Sequence, residues 1–504
     1  MTGDSAAERL FKEILLARQR VYAVGGATPL ERLDLPGPDA VYLKREDLSP
    51  IHAYKWRGAY NRMAMLPPED RERGVVAASA GNHAQGVAMA ARKLGVHATI
   101  VMPKATPRMK QAAVQLHGGD SVEVIIHGDS YSDAGALAME RCREAGRTFI
   151  HPYDDYGSMG GQGTLADEVV MSGQGPFDVA FLQIGGGGMA AAVACWLRRY
   201  YPEIHIVGVE GVDQACMAAA VNAGEPVMLD YVDVFCDGTA VKKAGELTYP
   251  LCRDLIDEFI TVTNAEVCAA IQALWEQRRC IPEPSGAMGL AGLMKEQNRW
   301  NGAKALAVVS GANMDFGQLA WIVRHAGIGA ARRRYYRFAL REEQGALLSL
   351  LETHFDELNI IEFQYGKTDP RRAWPVIGVE GAPPELTLLE QRLDEYGVEY
   401  EKVTEEEDVE FRIIHYEPSL FMRPYFIKLE FPERPRALHD FLEAACARAS
   451  ICYFNYVFTG EQVGRALIGF EFPSDDDRAA FQQSLRESGH RYQAISEAVA
   501  RRIL

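Results

Sequence analysis

The chain has 504 residues, 48% hydrophobic and 24% charged, with a formal net charge of −16. That length exceeds what one hydrophobic core organises, so about three domains are expected. The negative field argues against a nucleic-acid partner, and no apolar run approaches the ~18 residues of a membrane span.

The nine cysteines show no CxxC pair and no regular spacing. They give no disulfide frame or zinc site and read as reduced thiols of a cytoplasmic protein. Near the N-terminus Ala6 to Arg20 is an amphipathic segment with acidic residues. It lacks the apolar core of a signal peptide and is expected to be a helix of the mature fold.

From about residue 20 to 325, apolar strands alternate with glycine turns and helices. Gly74 to Ala78, Ala98 to Pro103, Val122 to Ile126, Thr148 to His151, Val179 to Ile184, Ile204 to Glu210 and Ala305 to Val309 read as strands. This pattern implies parallel sheets buried on both faces. The strands are too many for one sheet. Two α/β lobes with a cleft are expected within 1–328, the smaller lobe spanning roughly 55–152. Arg332 to Arg334 is a basic run at the end of this domain and reads as a solvated hinge.

The texture then changes. Tyr335 to Leu340, Ile360 to Tyr365, Trp374 to Glu380 and Val398 to Val403 read as strands; Gly345 to Phe355 and Leu386 to Tyr396 read as helices. The order recurs in Tyr425 to Phe431, Arg436 to Ala445, Ile451 to Phe458, Arg465 to Phe472, Arg478 to Glu487 and Arg491 to Ser496. The copies align at an offset of about 91 residues, which indicates duplication. Leu351 meets Leu442, Phe363 meets Phe454, Tyr365 meets Tyr456, Ile377-Gly378 meets Ile468-Gly469; after a one-residue slip, Leu393 meets Leu485 and Gly397 meets Gly489. Each copy, 333–405 and 423–504, reads as βαββαβ with helices on one face of an antiparallel sheet. The acidic run Glu405 to Asp408 between them reads as a solvated linker.

Four stretches carry chemistry. Lys55 follows the turn Ser49-Pro50 within Lys44-Arg45-Glu46-Asp47…Tyr54-Lys55-Trp56-Arg57-Gly58-Ala59. A lysine that attacks an aldehyde must lose its proton, so the site must be desolvated or lie near other cations. Ser79-Ala80-Gly81-Asn82-His83 joins a strand to a helix and can aim N–H groups at a carboxylate; a plain helix cap by Asn82 or Ser79 explains it equally well. Gly185-Gly186-Gly187-Gly188-Met189 follows a strand and opens a helix, a setting that cradles phosphate. It lacks the GxGxxG spacing and the Lys-Ser/Thr of a nucleotide loop. Ser310-Gly311-Ala312-Asn313 ends the last strand.

These stretches, with Pro282-Glu283-Pro284-Ser285-Gly286-Ala287, resemble the fold-type II pyridoxal phosphate (PLP) enzymes, and most closely the biosynthetic threonine dehydratases. The resemblance covers nearly the whole chain. It implies a two-lobed, tryptophan synthase β-like catalytic domain followed by two ACT-like regulatory subdomains. It makes Lys55 the lysine joined to PLP, which removes the substrate Cα proton. Asn82 meets the cofactor 3′-oxygen, Gly185, Gly186, Gly187, Gly188 and Met189 hold its phosphate, and Ser310 faces its pyridine nitrogen. Ser79, Ala80, Gly81, Asn82 and His83 receive the substrate carboxylate. L-Threonine is the implied substrate, with L-serine as a second one. Isoleucine is the implied inhibitor, opposed by valine, and the implied assembly is a homotetramer.

Tyr365 and Tyr456, equivalent on the second strand of each repeat, are candidate effector contacts; core or interface packing would explain them equally well. The sequence departs from the family at Ala53-Tyr54, Trp56 and Asp315, positions that bear on substrate preference. Glu210 matches the start of the metal set of related racemases, but Gln214 and Cys216 do not continue it, so no divalent metal is expected. Two rivals are a serine-preferring dehydratase of the same fold and a catalytically dead amino-acid sensor.

Overall fold

The computed structural model describes residues 5–355, 358–432, 440–443, 449–457, 463–487 and 491–503. Two compact units divide at Gly329 and Ala330.

In the first unit Ser5 accepts the Glu8 amide and starts the helix Ala6–Val21, which buries Leu10, Ile14, Ala17 and Val21 along one stripe. That 3–4 spacing is the core face of an amphipathic helix. Leu10 and Ile14 join a cluster with Met159, Leu165, Ala166 and Val169 of the helix Tyr156–Met171. The larger lobe holds a six-stranded sheet in the order Leu30–Leu33, Ala40–Arg45, Lys304–Val309, Val179–Gln183, His205–Gly211, Glu258–Val262. Its pairs are parallel except at the antiparallel edge strand Leu30–Leu33. The smaller lobe holds four parallel strands in the order Val122–Ile126, Ala98–Met102, Val75–Ala78, Thr148–Phe149. Val75–Ala78, Ala98–Met102 and Val179–Gln183 are buried at every position, because helices cover both faces. Leu30–Leu33, Ala40–Arg45 and Glu258–Val262 lie outside the expected strands: Glu31 and Arg32 interrupt the first, and the terminal charges of the other two leave runs of only four residues.

The second unit is built on one eight-stranded antiparallel sheet in the order Tyr400–Lys402, Arg333–Phe338, Val376–Glu380, Asn359–Gly366, Ser450–Val457, Val463–Glu471, Tyr425–Pro432, Arg491–Ala494. The first four strands are one repeat and the last four the other. Their second strands pair across the seam, Phe363 with Tyr456 and Tyr365 with Phe454. Leu351, Leu442, Phe363, Phe454, Ile377, Ile468, Leu393 and Leu485, matched by the repeat, all lie in one core. The expected helix Arg436 to Ala445 falls outside the described residues except for 440–443, as do Phe458 and Gly489.

Two surface readings are corrected. Arg333 and Arg334 are not a solvated hinge: they begin the strand Arg333–Phe338 and pair with Glu380 and Glu390. The acidic run is not a free linker either. It enters the short helix Glu407–Glu410, where Asp408 meets Arg337 at 2.7 Å and Val409 is buried. The Asp408–Arg337 pair and the buried Val409 side chain dock the segment onto the first repeat.

Candidate active site

Lys55 opens the helix Lys55–Ala64. The segment before it is zipped to the end of the strand Lys304–Val309. The Tyr54 amide donates to the Ser310 carbonyl at 3.0 Å, the Ala312 amide donates to the His52 carbonyl at 2.9 Å, and Ala53 bridges Gly311. Residues far apart in the sequence, Lys55 and Ser310, are thereby neighbours. Lys55 Nζ donates to the Pro152 carbonyl at 3.1 Å and stands 5.2 Å from the centre of the Tyr54 ring. Burial pushes its ammonium down to about 8, against the opposing pull of Glu283.

A buried ion cluster holds this helix from behind. Arg57 donates to Glu46 at 2.8 and 2.9 Å and to both oxygens of Glu168, while Lys44 donates to Glu168 and to the Thr28 carbonyl. Lys44, Glu46 and Arg57 are 0% exposed. Lys44 lies near the end of the strand Ala40–Arg45 and Glu46 opens the 3-10 turn Glu46–Leu48 that follows it, while Arg45 pairs with Asp47. Two cations balance two carboxylates, and the nearby Thr28 and Thr164 hydroxyls fill remaining bonds.

The glycine loop joins the strand Val179–Gln183 to the helix Gly188–Tyr200. Gly187 has φ +92°, a conformation L side chains resist, and a Cβ on Gly186 would lie 2.4 Å from the Tyr153 ring. No side chain caps this helix, and among the described residues the amides of Gly185 to Met189 meet no acceptor. Those unmatched donors at a helix N-terminus form an anion cradle.

The Ser79 to His83 turn leads into the helix Asn82–Leu94, whose N-cap is Gly81, with no side-chain cap. The simple cap by Ser79 or Asn82 is therefore not what forms; Ser79 Oγ instead accepts the Gly81 amide at 3.3 Å. A Cβ on Gly81 would meet nothing within 4 Å, so the turn faces open space. His83 is committed to the Ile150 carbonyl through Nε2, and burial with the Lys55 charge lowers its pKa to about 3, which keeps it neutral.

Asn82 Nδ2 donates to Glu283 Oε1 at 2.6 Å, and Asn313 Nδ2 donates to Asn82 Oδ1 at 2.7 Å. The Asn313 amide donates to the other Glu283 oxygen. Burial, with Asp237 nearby, raises Glu283 to about 7; Lys110, Asn82 and Asn313 work against that rise. Lys110 of the smaller lobe pairs with Asp237 of the larger one beside it. The sequence marks Glu283 only as part of a motif, and Pro152 to Asp154 not at all. Two clues were present: a lone carboxylate between prolines, and an His-Pro-Tyr-Asp-Asp run closing a strand.

Glu210 accepts the Met217 and Ala218 amides at 2.8 Å each. Among the described residues, no group of three or more His, Cys, Asp or Glu could hold a metal.

In the second unit, Tyr365 lines a small cavity of about 60 Å³ with Leu347, Phe363, Leu442 and Ile451. Its hydroxyl donates to Glu342 Oε2 at 2.5 Å, and burial raises the Glu342 pKa. Tyr456 is 2% exposed and packed in the core.

Residues 21–311 match the family of pyridoxal-phosphate dependent enzymes, and residues 422–502 match the C-terminal regulatory domain of threonine dehydratase. The L-threonine dehydratase biosynthetic IlvA of Burkholderia multivorans is 39% identical over 97% of this chain and 97% of that protein. The chain belongs to the biosynthetic threonine dehydratases. The processed form of threonine deaminase isoform 2 from Solanum lycopersicum superposes with a TM-score of 0.61 at 38% identity, covering 64% of this chain and 95% of that one. Maize serine racemase follows at 0.58 and 30%, covering 62% and 96%.

Like the rest of its family, this threonine dehydratase family member depends on pyridoxal phosphate. The residues present fit that group. The cofactor needs an unprotonated amine, an anion cradle and a hydroxyl. The chain offers the desolvated Lys55, the unmatched amides of the glycine loop and Ser310, which is 4% exposed.

Proposed function

We propose that the chain deaminates L-threonine to 2-oxobutanoate and ammonia by α,β-elimination, the first step of isoleucine biosynthesis, under feedback by isoleucine opposed by valine. The observation that carries this reading is the Lys55 amine, lowered to about 8 and fixed beside Pro152 and Ser310. The near full-length likeness to biosynthetic L-threonine dehydratases supports the substrate.

PLP, when bound, supplies the electron sink for negative charge at the substrate Cα. Lys55 would join the cofactor aldehyde and, once displaced by the substrate amine, take the Cα proton on Nζ. Near neutral pH a usable fraction of this amine is unprotonated, as a general base needs. Asn82 has one amide hydrogen committed to Glu283, which leaves the second for the cofactor 3′-oxygen. The Gly185 to Met189 amides would hold the phosphate. Ser310 would face the pyridine nitrogen with a neutral hydroxyl, which does not hold that nitrogen protonated as a carboxylate would. The Ser79 to His83 turn would receive the substrate carboxylate in the space above Gly81.

In the second unit, the apolar wall around Tyr365 suits a branched aliphatic side chain and the Glu342 carboxylate suits an ammonium group. Both features support isoleucine control. Cytoplasmic residence agrees with the eight described cysteines, all free and buried. A homotetramer belongs to the same reading: Phe316 and Leu116 are 82% and 74% exposed, large apolar surfaces that assembly would cover.

L-Serine is expected as a second substrate, because one methyl is worth only about 1–3 kcal/mol of discrimination. The test is kcat/KM of the PLP-loaded protein for both amino acids, read as oxoacid release. A clear preference for threonine with isoleucine-sensitive turnover supports the proposal. A preference for serine, or no oxoacid from either, overturns it.

A further inference from the structure

We propose that Thr248, Cys216 and Cys252 are positioning residues that turn three successive peptide planes of the glycine loop so that its N–H groups face the bound phosphate. The proposal rests on reading Gly185 to Met189 as the phosphate cradle.

Each of the first three glycine carbonyls is engaged by a side chain. Cys216 Sγ donates to Gly185 O at 3.5 Å, Thr248 Oγ1 to Gly186 O at 2.6 Å and Cys252 Sγ to Gly187 O at 3.6 Å. All three side chains belong to residues 0% exposed. In a trans peptide the C=O and the following N–H point in opposite directions. Carbonyls drawn toward these donors therefore send the amides of Gly186, Gly187 and Gly188 the other way. Among the described residues, those donors meet no acceptor.

A run of four glycines has the widest backbone freedom of any such segment, and most of it must be lost to form a cradle. Anchors on the carbonyls remove that freedom before the phosphate arrives, which is preorganisation. Thr248 is the strong anchor. Its hydroxyl also lies 3.4 Å from Gly245 O, but the 2.6 Å contact to Gly186 O is the better bond. The two thiols are weak donors and remain donors: burial raises Cys216 to about 12 and Cys252 still higher, so neither ionises.

The anchor is itself tied to the catalytic lysine. Asp154 accepts the Glu246, Leu247 and Thr248 amides at 3.0, 2.8 and 3.2 Å and so fixes the turn that delivers Thr248. The Tyr153 ring packs where a Cβ of Gly186 would stand, and the Pro152 carbonyl receives Lys55 Nζ. Three consecutive residues thus register the amine, the loop and the anchor.

The test titrates the apoprotein with PLP and with pyridoxal, which lacks the phosphate, following absorbance of the bound cofactor. Thr248→Val is expected to raise the PLP Kd at least tenfold and the pyridoxal Kd less than threefold. Thr248→Ser should stay within threefold of the parent for both. The Cys216→Ala/Cys252→Ala double variant should weaken PLP by roughly threefold to tenfold, and it carries the test if Thr248→Val does not fold. Parental PLP affinity in both Thr248→Val and the double variant overturns the proposal, as does equal loss of PLP and pyridoxal. A parent protein that does not prefer PLP to pyridoxal removes the cradle reading itself, and the anchoring role falls with it.

Discussion

Gln364 and Asn455 face each other across the middle of the C-terminal sheet. Their separation, 455 − 364 = 91, is the offset that relates the two repeats. Their neighbours exchange accordingly: Phe363 faces Tyr456, and Tyr365 faces Phe454. A local twofold axis therefore passes through this pair and makes the seam self-complementary, as in an isologous dimer interface. Both tyrosines lie in the shared core, and the Tyr365 hydroxyl donates to Glu342 beside a small cavity.

The Tyr365 contact gives the first prediction. Tyr365→Phe removes a hydroxyl bonded to a carboxylate, a contact of about 1.5–3 kcal/mol. The isoleucine concentration for half-inhibition should rise roughly tenfold or more, while uninhibited kcat/KM stays unchanged. Inhibition curves on the variant check this.

The second prediction concerns Arg57. Replacing it with Met leaves Glu46 and Glu168 sharing only Lys44 in a dry site. Breaking a buried ion pair from one side costs about 3–5 kcal/mol. Urea unfolding of the apoprotein should show a loss of that size, and the helix bearing Lys55 should lose register, so cofactor binding weakens as well.

The third follows from the Lys55 pKa. Folding lowers it from 10.5 to about 8. Between those values the folded state binds fewer protons than the unfolded one, so stability rises with pH across that window. Below pH 8 the full penalty applies, on the order of 3 kcal/mol. Lys55→Met should therefore raise the apoprotein Tm most below pH 8, and the gain should vanish near pH 10.5. In the parent protein, the rate of cofactor capture should climb with pH and level off above about 8.

The fourth concerns Ser310. Ser310→Asp places a carboxylate where a neutral hydroxyl should meet the pyridine nitrogen. Threonine elimination should slow at least tenfold, with new long-wavelength absorbance during turnover and PLP affinity within threefold of the parent. Unimpaired elimination would remove the role given to Ser310.

The catalytic strands were legible because parallel strands buried on both faces become unbroken apolar runs, as in Ala98–Met102. The repeat was legible because its core positions kept their spacing. Edge strands were not: Leu30–Leu33 is half-exposed and polar, so nothing in its periodicity marks it. At the site, Lys55, the glycine loop and Ser310 stood out because their chemistry needs rare local patterns. Glu283 and Thr248 did not. Their meaning comes from bonds to Asn82 and Gly186, and those bonds span 201 and 62 residues. Arg333 and Asp408 misled for a related reason: a charge run looks solvated until its partner strand is known.

The most direct test is Lys55→Ala, assayed for absorbance of retained cofactor after gel filtration and for 2-oxobutanoate from L-threonine. The expected result is a colourless protein with oxoacid release lowered by at least three orders of magnitude. A variant that keeps the cofactor colour through gel filtration, or still deaminates threonine at near the parental rate, would contradict the account.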